Sequence, residues 1–455
     1  MKENHVAIAR SRAAGYGVLE EPAACLRALF HAWGLEAANP LGALIRPGSR
    51  VVLKPNWVHH YNQSGQGLDC LITHPTLIEA VLEAVELTRP ASVVVGDAPL
   101  QGCDFAELRR LCRLDEMAER FRRRGLPVEI ADFRRTVLPE GRLGARRQEA
   151  LRSMDRFVLF DLQQHSLLEA LAADSARFRV TMYNPDLLLR THAPGRHQYL
   201  IAREIIEADV VVNLPKLKSH KKACLTGALK NLIGINGNKE YLPHHRKGGS
   251  RTGGDCYPGR SRLKGMAENF LDAANRTASL HAQSLLAGAA AGLARCARLL
   301  GEQDPELEGS WYGNDTIWRT CLDLQRILRY GKLDGSLAST PQRTVITITD
   351  AIVGGEGEGP LANTPVPSRF LTAGLNPAAV EWIHARLMGF DPTRIPLVRE
   401  AFGSFLFPLA SFPPSSVVAL LGGERKAPEQ VYPFDGRAFL PPSGWRGHCE
   451  LEPRP

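Results

Sequence analysis

Short runs of continuous β-branched and apolar residues, separated by stretches of helical spacing, constrain this chain more than any other feature. The clearest runs are Val6–Ala9, Val51–Leu53, Ser92–Val95, Val128–Ala131, Arg156–Phe160, Val210–Leu214 and Thr344–Thr349. A strand with one wet face alternates apolar and polar residues; an unbroken apolar run suits a strand covered on both faces. Between the runs, Pro75–Leu87 and Tyr199–Ala208 show helical apolar spacing. The order predicts an α/β protein with a mostly parallel, doubly wound sheet. From Leu263 to about Gly331 no strand-like run occurs, which predicts a helical insertion, with Asn314-Asp315-Thr316 capping an amphipathic helix. The expected organisation is 1–262 as the first part of the α/β unit, 263–335 as the insertion, and 336–455 as a return to the core plus a Pro/Phe-rich tail.

Charge is concentrated. Between Val211 and Gly265 stand twelve Lys/Arg and two acids, net +10, so the other 400 residues sum to −2 of the overall +8. A polyanion-binding face usually spreads its charge. A compact basic segment rich in Gly, Asn and His reads instead as a pocket for an anionic small molecule. Nucleic-acid binding through the same segment is the competing reading. The nine cysteines contain no C-x-x-C pair, so no iron–sulfur or zinc-ribbon ligand pattern is present. No secretory leader and no clean apolar span of about 20 residues is seen, and a cytoplasmic, non-membrane protein is expected.

In a parallel sheet, ligands sit beyond the carboxyl ends of the strands. Lys54, Asn56, His59 and His60 follow Val51–Leu53, and Asp97 follows Ser92–Val95. Lys216, Lys218 and His220 follow Val210–Leu214; Asp350, then Glu356, follow Thr344–Thr349. Lys216, Lys218 and His220 alternate and would share one face of an extended segment. Lys222–Ile233 is expected to be helical, aligning Lys222, Thr226 and Lys230. The candidate catalytic groups are His220, Lys218 and Asp97. Lys54, Asn56, Lys216, Lys222, Lys230, Asn231, His244, His245 and Arg246 are the candidate anion ligands. Asp97, Asp350 and Glu356 are candidates for a divalent cation. No Walker or G-x-G-x-x-G fingerprint is present. An enzyme of unassigned reaction is the favoured reading, with a non-catalytic metabolite-binding or scaffold protein as the alternative.

The strings VVLKPNWV (51–58), THPTLIEAVLEAV (73–85), VVVGDAP (93–99), ADVVVNLPKLKSHKKACLTGALKNLIGINGNKEYLPHHR (208–246), ITDAIVGGEGEGPL (348–361) and LNPAAVEWIHARLMGFDP (375–392) resemble the family called domain of unknown function 362. The strings fall in order between residues 51 and 392. It implies a shared site at Lys54, Asn56, His74, Asp97, Lys216, Lys218, His220, Lys230, Asn231, Asp350, Glu356 and Gly359. It implies no reaction. Many relatives add a cysteine-rich ferredoxin-like module, which this sequence lacks, and relatives often carry Asp where this chain has Glu381.

Overall fold

The structure is a computed structural model describing residues 2–17, 20–138, 149–300 and 307–452. Its centre is a twelve-stranded sheet. The strands are β1 His5–Arg10, β2 Arg50–Pro55, β3 Ser92–Asp97, β4 Val128–Asp132, β5 Val210–Leu214, β6 Lys216–His220, β7 Cys224–Thr226, β8 Thr344–Glu358, β9 Ala362–Val366, β10 Phe370–Gly374, β11 Val418–Leu421 and β12 Glu424–Lys426. They run β12-β11-β1-β10-β8-β5-β2-β3-β4, with β6 and β9 branching from β8 and β7 pairing with β6. The block β8-β5-β2-β3-β4 is wholly parallel, and β10 meets both β1 and β8 antiparallel.

The apolar runs are covered on both faces, as their composition requires. Val210, Val212 and Leu214 enter one core with Val51, Leu53, Val93 and Val95, against helices Glu20–Ala32, Pro75–Glu86 and Leu114–Arg123. Val52 and Val211 point into the other, with helices Ile317–Tyr330 and Pro377–Met388. Helix Pro75–Glu86 starts where Pro75 presets φ and His74 Nδ1 accepts the Thr76 N–H at 3.3 Å. Helix Ile317–Tyr330 is capped by Asn314, whose Oδ1 accepts from Thr316 N and Ile317 N at 3.0 Å each. Helices Arg262–Arg276 and Leu280–Leu299 pack mainly on each other, whereas Ile317–Tyr330 is buried along nearly its whole length. Residues 301–306 of the expected insertion lie outside the described residues.

Two expectations are corrected. Tyr199–Ala208 is not one helix: Arg196–Ala202 is a strand paired antiparallel with Phe157–Asp161 in a separate small sheet, and only Arg203–Glu207 is helical. Tyr199, Leu200 and Ile201 are consecutive and all buried in one core, a demand that a strand covered on both faces meets better than a helix. Lys222–Ile233 is likewise not a helix, because Cys224 sits at φ +70° and β7 folds back onto β6, with a 3₁₀ stretch from Lys230 to Ile235. The glycines after Asp350 lie within strand β8. A Cβ on Gly355 would come within 2.6 Å of Cys70 O and 2.9 Å of Lys218 Cβ, so glycine is what lets β6 lie against β8. The tail contributes the β11–β12 edge hairpin and returns Trp445, whose indole N–H donates to Lys221 O at 2.6 Å.

Candidate functional site

The carboxyl ends of β2 and β3 set the floor. Lys54 Nζ lies 2.7 Å from Asp97 Oδ1 and donates to Pro55 O (2.9 Å) and Asn231 Oδ1 (3.1 Å). Asp97 Oδ2 accepts the Trp57 N–H at 2.6 Å. Asn231 Nδ2 reaches Asn213 Oδ1 at 2.8 Å, and Asn56 Nδ2 reaches Asn231 Oδ1 at 3.0 Å. Gly234 closes over this pair: a Cβ there would sit 1.9 Å from Asp97 Oδ1 and 2.7 Å from Lys54 Nζ. Gly234→Ala is therefore expected to cost about 1–3 kcal/mol, the usual penalty for overpacking. Gly292→Ala is the control, since its Cβ would meet nothing within 4 Å on an exposed helix, where alanine favours helix. Equal urea midpoints for the two variants would refute the packing argument.

Above the floor lies a cavity of about 470 Å³ whose wall includes Lys54, Lys218, Lys222, Lys230 and Lys239 and, among the described residues, two carboxylates, Asp97 and Glu308. Asp97 holds Lys54, and Glu308 holds Lys222 at 3.2 Å. Among the described residues Lys218 donates only to the carbonyls of Leu71 and Pro360, and Lys239 to Ala98 O at 3.3 Å. Among the described residues nothing accepts a hydrogen bond from Lys230 Nζ. Burial in this wall, the largest influence on each, pushes Lys218 and Lys239 down to about 7 and lowers Lys230.

Two histidines complete the wall in opposite tautomers. His220 Nδ1 accepts from the backbone N–H groups of Lys222 (3.1 Å) and Ala223 (3.3 Å), so the ring proton belongs on Nε2. His244 Nδ1 faces Leu242 O at 2.6 Å; a carbonyl only accepts, so Nδ1 carries the proton and Nε2 keeps its lone pair. Burial, then the nearby lysines, hold both imidazoles well below their usual pKa and therefore neutral. One offers the cavity a donor, the other a base. The segment carrying Lys239 and His244 is tied down by His192, whose Nε2 donates to Tyr241 O at 3.0 Å.

The cavity thus gathers Lys54, Asn56, Asp97, Lys218, His220, Lys222, Lys230, Asn231 and His244. Five other sequence candidates stand elsewhere. Lys216 lies 2.7 Å from Asp350 Oδ2, both wholly buried, with Tyr16 OH 2.6 Å from the amine and donating to Asp350. Glu356 is held by Arg437 and the Leu440 N–H. Asp97, Asp350 and Glu356 each have their own cation. No group of three or more His, Cys, Asp or Glu able to hold a metal exists among the described residues. His245 is buried in a two-residue strand opposite Arg179, and Arg246 pairs with Asp255. Glu381 is no helix cap: helix Pro377–Met388 is capped by Asn376, while Glu381 accepts from Ala228 N at 2.7 Å and Leu229 N at 3.2 Å and so pins the turn before Lys230. Lys239, Gln101 and Glu308 in the wall were not singled out from sequence. Only Lys239 had a signal, its place in the basic segment.

The model of the family called domain of unknown function 362 matches residues 163–386. The matched span holds Lys218 through His244, while Lys54, Asn56 and Asp97 precede it. A thylakoid-associated protein of Synechocystis sp. is 23% identical over 404 residues, covering 88% of this chain and 83% of that protein. A crystal structure of a Thermotoga maritima protein aligns with TM-score 0.34 and 10% identity over 80% of this chain and 57% of that one. The lactate racemase apoprotein of Thermoanaerobacterium thermosaccharolyticum aligns with TM-score 0.30 and 11% identity over 84% and 58%. The chain spans under three fifths of either solved chain's length. No described helix is long and apolar enough to cross a membrane.

Proposed function

We propose that the cavity binds a small phosphorylated or carboxylated metabolite and that the protein is an enzyme acting on it by proton transfer. The observation that carries this reading is the excess of buried cation: Lys218, Lys230 and Lys239 face one cavity, and among the described residues no carboxylate pairs with any of them. A bound anion would favour the charged form of all three amines that burial has lowered and give Lys230 its acceptor. In the water-poor cavity His244 Nε2 would take a proton from a carbon or hydroxyl beside the anion, and His220 Nε2–H would donate to the oxygen that gains charge. Burial of Lys218, Lys230 and Lys239 also favours a small ligand over a nucleic acid, whose phosphates could not reach them.

Lys230→Met tests the anion site. Methionine keeps most of the apolar stem and removes an unpaired buried charge, so the free protein is expected to keep or gain thermal stability. Inorganic phosphate, titrated calorimetrically, is expected to bind about 10- to 100-fold more weakly, the worth of one charge-assisted hydrogen bond. Unchanged phosphate affinity in that variant would remove the site assignment.

A further inference from the structure

The lysine end of the cavity runs directly into an apolar wall. Lys239 Nζ donates to Ala98 O at 3.3 Å, and Leu100, two residues on, lines the same cavity. Lys218 Nζ donates to Pro360 O at 3.4 Å, and the next residue, Leu361, lines it too. Backbone bonds hold these loops together: Leu100 N donates to Val58 O at 3.0 Å, and Gln63 N donates to Leu361 O at 2.8 Å. Val58, Leu100 and Leu361 are each partly exposed, so all three keep accessible surface for a ligand. Among the described residues Leu100 and Leu361 pack into neither hydrophobic core. The oxygen acceptors beside the lysines, by contrast, are engaged. Asp97 holds Lys54 and accepts the Trp57 N–H, and Glu308 holds Lys222. Asn231 Oδ1 accepts from Lys54 and Asn56, and Thr181 Oγ1 accepts from Lys222 at 3.4 Å.

We infer that the anion bound at the lysines is the head of a molecule whose body is hydrocarbon, an aryl or short alkyl carboxylate or phosphate, and that the body lies against Val58, Leu100 and Leu361. The wall offers donors to the head and carbon to the body. A polyhydroxylated body, such as a sugar, would lose the water on its hydroxyls and meet oxygens already committed to lysines and a backbone N–H, a loss that apolar contact does not offset. Hydrocarbon has no such hydrogen bonds to lose and gains by leaving water. A cavity of about 470 Å³ lies toward the small end of ligand pockets. It has room for the head with one ring or a short chain, and falls short of the two long chains of a membrane lipid. This inference rests on the anion site proposed above and names what is attached to the anion.

The test is calorimetric titration of the full chain with phenyl phosphate, ribose 5-phosphate and inorganic phosphate, and with acetate, butanoate and hexanoate. Phenyl phosphate is expected to bind about tenfold or more tightly than either of the other phosphates, the gain from burying one ring. Along the carboxylates, affinity should rise about 3- to 4-fold for each added methylene. Leu100→Ser/Leu361→Ser, which changes two side chains outside both cores, is expected to lose most of the phenyl phosphate gain while inorganic phosphate binds as before. Leu100→Met/Leu361→Met, which keeps the wall apolar, should retain that gain. The ligand series on the unmodified protein decides the matter even if the serine variant does not fold. The inference is overturned if ribose 5-phosphate binds as tightly as phenyl phosphate, if hexanoate binds no more tightly than acetate, or if the folded serine variant keeps the full preference. Failure of inorganic phosphate and phenyl phosphate to bind at all would overturn the anion site itself, an outcome distinct from equal binding of the two.

Discussion

Asp350→Asn is expected to destabilise the protein by about 3–5 kcal/mol, the cost of leaving one partner of a buried ion pair without its counter-charge. Asp350 and Lys216 are wholly buried, 2.7 Å apart, in the middle of β8 and at the start of β6. Asp350 also accepts from Tyr16 OH and from the His74 N–H at 2.8 Å, and Tyr16 stacks on His74 with ring centroids 3.9 Å apart. One carboxylate therefore joins β6, β8, the loop carrying Tyr16 and the start of helix Pro75–Glu86. Asparagine keeps the shape and an acceptor, so the loss it causes reports the charge. The variant should unfold at lower urea, and the His74 amide should exchange faster with solvent. In Asp350→Asn/Lys216→Met neither charge remains, methionine fills the lysine stem, and most of the stability should return. A loss under about 1 kcal/mol for Asp350→Asn, or a double variant no better than the single, would show that charge pairing is not what holds these elements together.

The same pair shows how far the sequence could be read. Lys54 and Asp97 were legible because the carboxyl end of a buried parallel strand is fixed by the strand itself. Lys216 and Lys218, two apart, were expected on one face. They part because the pairing of β6 with β8 slips between them: Lys216 faces Asp350 and Lys218 faces Gly355. A register shift between segments more than a hundred residues apart leaves no local trace. His244 and His245 are adjacent and indistinguishable in sequence, yet one lines the cavity and the other is buried beside Arg179, a choice made by pairing with residues 178–179. Lys222, Thr226 and Lys230 do reach one cavity, through a hairpin and a 3₁₀ turn where a helix was expected. The β11–β12 hairpin did have a signal: Gly422-Gly423, at φ +61° and +83°, follows a short apolar run, the two-residue turn that right-twisted strands prefer. Gln101 and Glu308 had none, since an amide or a lone carboxylate gains meaning only from what surrounds it.

The pH dependence of anion binding follows from the same wall. Sulfate is the probe, because its charge stays fixed across the neutral range while that of phosphate does not. In the free protein Lys218 and Lys239 titrate at about 7, against about 10.4 for an unburied lysine. Below pH 7 both enter the complex already charged; above it each must take up a proton, at about 1.4 kcal/mol per pH unit. Sulfate affinity should therefore fall by up to about tenfold per unit for each lysine, with proton uptake visible as a dependence of the binding heat on the buffer. His220 and His244 stay neutral throughout and contribute nothing to this slope. Stability must run the other way. Between pH 7 and about 10 the unfolded chain binds more protons at these lysines than the folded one, so the free protein should gain stability as pH rises. Opposite slopes for affinity and stability are the signature of cations buried for a ligand's sake, and Lys218→Met with Lys239→Met should flatten both. A sulfate Kd constant from pH 6 to 9 in the unmodified protein would mean that these amines do not touch the anion.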